Sequence, residues 1–359
     1  MANVGGMQRV AAGLHEALEN HSRIELNSLV LRVSWRWTHV RSIPFMLGVI
    51  FKLRHMLRRG EVDVVLFSSM VTASLVLALG RSALRRASLT VIAHGRDITL
   101  PVPAYQWLVP KMLDRLSMVF AVSRATGERC NERGLPPHRL CVIPNGVTTD
   151  ASAAASGVKP KVLAAVPENA FVLCGVGRLV ERKGFTWFVD QVMPLLPDDV
   201  VYVLVGDGPR AKDIDRLIAT HELSERVLRV GQITDDDLRE VYQLSDLLIM
   251  SNLPVPGDHE GFGVVMLEAG LSGTPVIASD LEGISDVVRE GVNGHLVPSQ
   301  RPRAFADLIC RYRNDRNALL ELSETAQVHV KSNYSWRQIA ERFVEGFEGL
   351  RAGNGRQPN

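Results

Sequence analysis

The chain has 359 residues, 46% of them hydrophobic and 22% charged, a composition expected of a globular protein with two domains. Its four cysteines, Cys130, Cys141, Cys174 and Cys310, stand far apart with no CxxC pair; this excludes a disulfide framework and a zinc ribbon and points to a reducing compartment. No signal peptide is recognisable, and the longest apolar run, Ile43 to Phe51, has nine residues between arginines, well short of the ~20 of a membrane span. Charge is unevenly placed: residues 1–150 carry a net +9 and the remainder −7, so the first half is expected to meet an anionic partner.

In chain order, Gly5-Gly6 opens a helix whose stripe is Val10, Leu14, Ala17 and Leu18. A glycine pair in that place normally follows a strand, but only four residues precede it. The first strand is therefore missing, and the expectation is that the true start lies upstream, because that strand would be central in the sheet. Ile24–Val33 reads as a strand and Ser34–Arg41 as a Trp- and Arg-rich loop. Pro44–Arg59 reads as a basic helix with an apolar face of Phe45, Met46, Val49, Ile50, Leu53 and Leu57. It suits either an anionic membrane surface or a sheet with its basic face in solvent.

Short β-branched runs at Val62–Ser68, Leu89–His94, Met118–Ser123 and Arg139–Pro144 read as buried parallel strands. Helices fall over Thr72–Leu79, up to Asp114–Ser117, and from a Ser123 cap to Arg133. Thr148 to Pro160 reads as a linker. A second alternation follows, with strands Phe171–Val176, Val200–Val205, Val227–Val230, Leu247–Met250, Val276–Ala278 and Gly294–Val297. Its helices lie near Thr186–Leu195, Arg210–Thr220, Asp235–Leu244, Val264–Ser272 and Ile284–Glu290. The chain is helical again from Arg303, a last helix starts at Ser335-Trp336, and 351–359 reads as a polar tail. The fold class is α/β, with two Rossmann-like domains.

The chemistry concentrates in His259-Glu260-Gly261-Phe262-Gly263-Val264-Val265-Met266-Leu267-Glu268, where two carboxylates stand either side of seven residues. Glu260 precedes a Gly-Phe-Gly turn and Glu268 lies inside the helix that the turn opens. Backbone N–H groups at Gly263 and Val264 would suit a phosphate, with the carboxylates on sugar hydroxyls; an amphipathic helix after an ordinary glycine turn is the other reading. Gly175-Val-Gly177-Arg178 through Lys183-Gly184 follows a strand and precedes a helix. Its glycines permit close approach of the backbone, and Arg178 and Lys183 are cations suited to a diphosphate, unless they are simply solvated. His94, ending a strand in the first half, either donates to a phosphate or sugar oxygen or packs. Asp213/Asp215 and Asp235/Asp237 have the D-x-D spacing of a metal-bound nucleotide site. Both read as structural, the second as the first turn of a helix capped by Thr234, and with no His/Cys ligand set no metal is expected.

Taken together, these residues resemble the retaining glycosyltransferases of family 4, with a GT-B fold. The resemblance runs from Gly5-Gly6 to Trp336. It rests on the paired glutamates, Ser272-Gly-Thr-Pro275-Val-Ile-Ala-Ser279, Asp286 to Asn293-Gly294, and the Ile143-Pro-Asn-Gly-Val147 hinge. It implies two domains facing a cleft: residues 1–148 for the acceptor, 149–334 for the nucleotide sugar, and a helix over 335–350 returning to the first domain. Arg178 and Lys183 would neutralise the donor diphosphate, Glu260 would hold donor-sugar hydroxyls, and Glu268 the ribose. Backbone groups of Gly261, Phe262, Gly263 and Val264 would meet the β-phosphate and sugar. Ile233 would lie beside the base, His94 would reach sugar or phosphate from across the cleft, and Gly5 and Gly6 would approach the diphosphate and acceptor.

The function expected on this basis is retaining, metal-independent transfer of a hexosyl group from a nucleotide-diphosphate sugar to a glycan or lipid-linked acceptor, with no cofactor. The protein would be cytoplasmic, with peripheral attachment to an anionic inner membrane face compatible with its basic first half, and with no nucleic-acid partner. A sugar-nucleotide epimerase and a non-catalytic GT-B-like binding module are the alternatives. A dehydrogenase is disfavoured because Val180 stands where the dinucleotide fingerprint needs its third glycine.

Overall fold

The computed structural model describes residues 6–31, 35–80, 86–149 and 163–353. Two compact units emerge: Met1–Asn145 with Trp336–Asn359, and Gly146–Ser335. Gly5, residues 150–162 of the linker and 354–359 of the tail lie outside the described residues.

The first unit is built on a parallel sheet of β1 (Val64–Phe67), β2 (Ser88–Ala93), β3 (Met118–Ala121) and β4 (Leu140–Val142), paired in that order. All six residues of β2 are buried, as a parallel strand covered on both faces requires. The edge strand β1 is covered less, with Val64, Val65 and Leu66 half-buried.

Two expectations fail in the stretch of chain ahead of β1. Residues 24–31 form no strand: a strand needs a neighbour to take its backbone groups, this segment does not pair with β1, and Leu26, Leu29 and Val30 are exposed. The run taken as a loop from Ser34 is instead helical from Trp35, in one helix Trp35–Arg59 that contains Pro44. Pro44 is thus inside the helix, where it removes one backbone bond. The helix expected over Thr72–Leu79 appears as a turn at Met70–Ala73, capped by Ser69 and Thr72, and a 3₁₀ stretch Ser74–Ala78.

The helix Gly6–Glu19 buries Val10, Leu14 and Leu18. The terminal helix Trp336–Gly353 belongs to this unit too. Its Phe343 and Phe347 rings lie 4.9 and 5.7 Å from Phe120 of β3, and Arg23 pairs with its Glu341 and Glu348.

The second unit has six parallel strands: β5 (Phe171–Val176), β6 (Val200–Val205), β7 (Val227–Gly231), β8 (Leu247–Met250), β9 (Val276–Ser279) and β10 (Gly294–Val297). Their order is β10-β9-β8-β5-β6-β7. The winding therefore reverses between β5 and β8, registered by Leu173 opposite Leu247. Crevices at such reversals, beyond the carboxyl ends of the strands, bind ligands in open α/β sheets. Phe171, Phe188, Tyr202 and Phe305 fill the core on one side.

Near Thr186–Leu195 the chain forms a helical turn, a π-turn over Phe188–Val192 and a 3₁₀ turn, Met193–Leu195. Pro194 has no N–H to continue a regular helix. Ile284–Glu290 is not a helix; only Glu282–Ile284 makes a 3₁₀ turn. The buried Asn293 side chain takes the backbone groups instead, accepting from the Arg289 N–H at 2.7 Å and donating to Val287 O at 3.0 Å. The expected tail helix is two, Pro302–Asn314 and Arg316–Asn333, the second capped by Asp315.

Candidate active site

The clustered site residues of the second unit come from loops at the carboxyl ends of β5 and β8, the two strands flanking the reversal. Lys183 lies in a 3₁₀ turn after β5, and Asn252, Asp258 and Glu260 follow β8. Gly184 lets the two loops touch: its φ is +66°, and a Cβ there would stand 1.8 Å from Ser251 O. Only glycine meets both demands.

Glu260 is the centre of this cluster. Its Oε2 takes Lys183 Nζ at 2.6 Å, Asn252 Nδ2 at 3.3 Å, and the Arg182 guanidinium. Arg182 also donates to Asp258 Oδ1 at 3.1 Å. Lys183 is 7% exposed, so this is a buried pair, stable only because its charges compensate. Burial pushes the Glu260 carboxyl up, but Lys183 and Arg182, with hydrogen bonds from Lys183 and Asn252, overcome that and hold it at about 2. A carboxylate so stabilised is a poor base and a poor nucleophile. It is suited to accepting hydrogen bonds, and no hydrogen bond to its Oε1 occurs among the described residues.

Arg178 and Lys183 differ more than their spacing suggests. Arg178 is exposed and pairs with no acid among the described residues. Lys183 is already neutralised by Glu260. The glycines ahead of them also divide. Gly175 makes room for the core, since a Cβ there would stand 2.0 Å from the Tyr202 hydroxyl; the expected close approach to a ligand is left to Gly177.

Glu268 sits in the helix Val265–Leu271 and its Oε2 accepts from the Tyr242 hydroxyl at 3.0 Å. Tyr242 belongs to the helix Asp235–Leu244, which begins two residues after Ile233, so the Ile233 loop leads directly to the Glu268 partner. Ile233 itself is half-buried. The first bond of the Glu268 helix runs from the Met266 N–H to Gly263 O at 3.0 Å, so the N–H groups of Gly263, Val264 and Val265 precede its ladder. The helix has seven residues; these local donors matter more than any summed dipole. Phe262 is buried, 3% exposed, so only its backbone could face a ligand.

In the first unit, His94 directly follows β2. Its Nε2–H donates to Ser68 O at 2.9 Å and its backbone N–H to Asp97 Oδ1 at 2.8 Å. Asp97 is buried and also accepts the Met70 N–H at 2.9 Å, so it ties the ends of β1 and β2 together. With Nε2 committed, His94 has only Nδ1 to offer a ligand, and Nδ1 donates only in the imidazolium. Gly6 opens its helix, and a Cβ there would meet nothing within 4 Å.

The D-x-D acids are engaged elsewhere. Asp213 pairs with Arg210 and Arg216 and Asp215 with Arg229, while Asp237 accepts the Thr234 hydroxyl at 2.7 Å and donates its N–H to that Thr234 cap at 3.1 Å. Sequence reasoning overlooked Arg182, Asn252, Asp258, Tyr242 and Glu282. Arg182 adjoins Lys183 and was the most accessible; the others are visible only through their contacts.

Two Rossmann-like units, each on a parallel sheet, one with cations and carboxylates gathered at its switch point, define the GT-B class of fold. Solved structures agree over nearly the whole chain. HepE of Anabaena, in complex with UDP, is 19% identical with a TM-score of 0.74, covering 97% of this chain and 98% of that one. Sucrose-phosphate synthase of Thermosynechococcus elongatus is 21% identical at 0.71, covering 98% and 94%.

Family models match residues 4–151, described as Glycosyltransferase Family 4, and 170–315, described as Glycosyl transferases group 1. The chain belongs to glycosyltransferase family 4. A D-inositol 3-phosphate glycosyltransferase of Corynebacterium urealyticum is 32% identical over 52% of this chain and 44% of its own. A phosphatidyl-myo-inositol mannosyltransferase of Mycobacterium leprae is 33% identical over 57% and 52%. The chain spans about half the length of these curated relatives.

Proposed function

We propose that this protein is a glycosyltransferase that moves a hexosyl group from a nucleotide-diphosphate sugar to a glycan or lipid-linked acceptor, with retention and without a metal. The observation that carries the reading is the Arg182–Lys183–Glu260–Asn252 cluster at the β5/β8 reversal. Cleaving a glycosyl phosphate leaves a cation-like sugar and a nucleoside diphosphate anion, and stabilising that anion is the main electrostatic task. Arg178 and Lys183, with the N–H groups around Gly263, are the groups we assign to it. Glu260 presents its open oxygen to donor-sugar hydroxyls, Glu268 takes the ribose, and Ile233 lies beside the base. Gly6 is assigned to the diphosphate and acceptor, as is Gly5, and His94 takes part in the transfer. The departing phosphate accepts the acceptor's proton, so no side-chain base is required; this agrees with a Glu260 carboxyl held at about 2.

The acceptor side rests on charge. Residues 1–150 carry +9, and relatives are named for inositol phosphate and phosphatidylinositol. No helix among the described residues is long and apolar enough to cross a membrane. We place the protein in the cytoplasm, working on an anionic acceptor at the membrane face.

The test is a thermal-shift screen against UDP, GDP and ADP sugars, followed by transfer assays with and without EDTA and NMR of the product anomer. Stabilisation by one donor, EDTA-resistant transfer and a retained anomer are expected; an inverted product or abolition by EDTA refutes the corresponding part.

A further inference from the structure

The helix Trp35–Arg59 buries one apolar face and leaves another bare. Leu53 and Leu57 are 6% and 2% exposed, and Met46, Val49 and Ile50 pack on the same core. The face expected to be available to a membrane is thus largely consumed by the fold. A second stripe, absent from that expectation, is open: Ile43, Leu47 and Phe51 are 68%, 53% and 70% exposed. They recur every fourth residue and, at 3.6 residues per turn, spread over an arc of roughly 80°, which Arg54 and Arg58 continue. Lys52 and Arg59 lie further round the helix, roughly 80–100° past its edge, and the helix contains no acid at all.

We propose that this stripe is a membrane-docking surface, with Ile43, Leu47 and Phe51 entering the acyl boundary of an anionic lipid layer and Arg54 and Arg58 meeting its headgroups. Three large apolar side chains in a row are not a solvated face, and their continuation into cations with no acid nearby specifies a surface apolar inside and negative outside. Arg58 and Lys52 have no acidic partner among the described residues; Arg59 has Glu61 at 3.5 Å, both exposed, and Arg54 leans on Ala78 O. The cations are therefore largely free for phosphates. A protein surface as partner would need acids placed to match each cation; a lipid layer supplies them anywhere. Only the lipid-linked acceptor of the proposed function connects this inference to the transfer reaction, and binding is measured without it.

The experiment is co-sedimentation of the full chain with phosphatidylcholine vesicles and with vesicles containing phosphatidylglycerol. Binding to the anionic vesicles is expected, at least tenfold stronger than to the neutral ones and weakened by salt. The double variant Ile43→Ser/Phe51→Ser should lose that binding tenfold or more with its thermal midpoint unchanged. Leu320→Ser, at a side chain 59% exposed in the second unit, should bind as the wild type does. Vesicle binding by the double variant at wild-type strength overturns the proposal, as does absence of binding by the wild type. Self-association that the double variant abolishes, without vesicle binding, assigns the stripe to a second copy and overturns it equally. Donor binding and transfer by the double variant, measured separately on a water-soluble acceptor, report on the active site alone.

Discussion

Glu282 reaches back to Glu260: one carboxylate oxygen accepts the Glu260 backbone N–H at 2.5 Å while the other contacts His259 Nδ1. The Gly283 N–H meets Glu260 O at 3.2 Å from the same turn. Glu282 does this at φ +51°, a left-handed conformation that costs a non-glycine residue about 1 kcal/mol. The bonds to the 259–260 segment are what hold it there.

This separates backbone from side chain. Glu282→Gly relieves the strain and should keep or raise the thermal midpoint. It should nevertheless weaken donor binding about tenfold, the value of one charge-assisted bond, because Glu260 loses its support. Calorimetric titration with the donor checks this; unaltered affinity would leave Glu282 with a role in the turn only.

Glu260 links the site to acid stability. Its carboxyl lies at about 2 in the fold, against 4.5 ordinarily, so the unfolded chain binds the proton more tightly. The stabilisation is fully present above about 4.5, falls as pH falls, and is gone below about 2. A shift of this size corresponds to roughly 3 kcal/mol. Glu260→Gln should be less stable at neutral pH by about 3 kcal/mol, since Lys183 and Arg182 lose their buried counter-charge, and should show a shallower acid decline. Denaturant titrations across that range test it, and parallel curves for the two proteins would refute it.

The two cations assigned to the diphosphate should separate in the same way. Arg178 is exposed and supports nothing in the fold, so Arg178→Ala should leave the thermal midpoint unchanged and weaken nucleoside diphosphate binding roughly ten- to a hundredfold. Lys183→Ala should weaken binding and also destabilise, by about 3 kcal/mol, because Glu260 stays buried with one cation fewer. Paired calorimetry and thermal denaturation distinguish them; a stability loss in Arg178→Ala would place that side chain in the structural network.

The second unit was the more legible in the sequence for a physical reason. Its four central strands are buried throughout, so they appear as nearly unbroken apolar runs, and Phe171–Val176, Val200–Val205, Leu247–Met250 and Val276–Ser279 fall where those runs fall. Ile24–Val33 is also rich in Ile, Leu and Val, though broken by Glu25, Asn27, Ser28 and Arg32, and residues 24–31 do not pair, because apolar residues alone do not make a strand and a neighbouring strand decides. Ile284–Glu290 was lost to a single side chain, Asn293, competing for backbone groups. Within the candidate site, spacing singled out Lys183, Glu260 and Glu268. It could not show that Glu260 neutralises Lys183, since that depends on two loops from strands some seventy residues apart meeting at Gly184.

Glu268 offers a test of nucleotide orientation. Its Oε2 is already held by the Tyr242 hydroxyl, so Tyr242→Phe should lower affinity for the nucleoside diphosphate only a few fold, about 1 kcal/mol. If Glu268 binds the ribose, Glu268→Ala should bind the ribo- and 2′-deoxyribonucleotides nearly alike, whereas the wild type prefers the former. Equal discrimination in wild type and variant would remove the ribose assignment.

His94 gives the last prediction, because its hydrogen bonding limits what it can do. Nε2 is spent on Ser68 O, so any contribution to transfer runs through Nδ1. His94→Ala should lower kcat at least tenfold with little change in KM for the donor, as removal of a group felt mainly in the transition state does. Loss of the bond to Ser68 should at the same time cost about 1 kcal/mol of stability. Steady-state kinetics with thermal denaturation decides: stability lost with kcat intact makes His94 a brace between β1 and β2, and kcat lost beyond any stability effect makes it part of the chemistry.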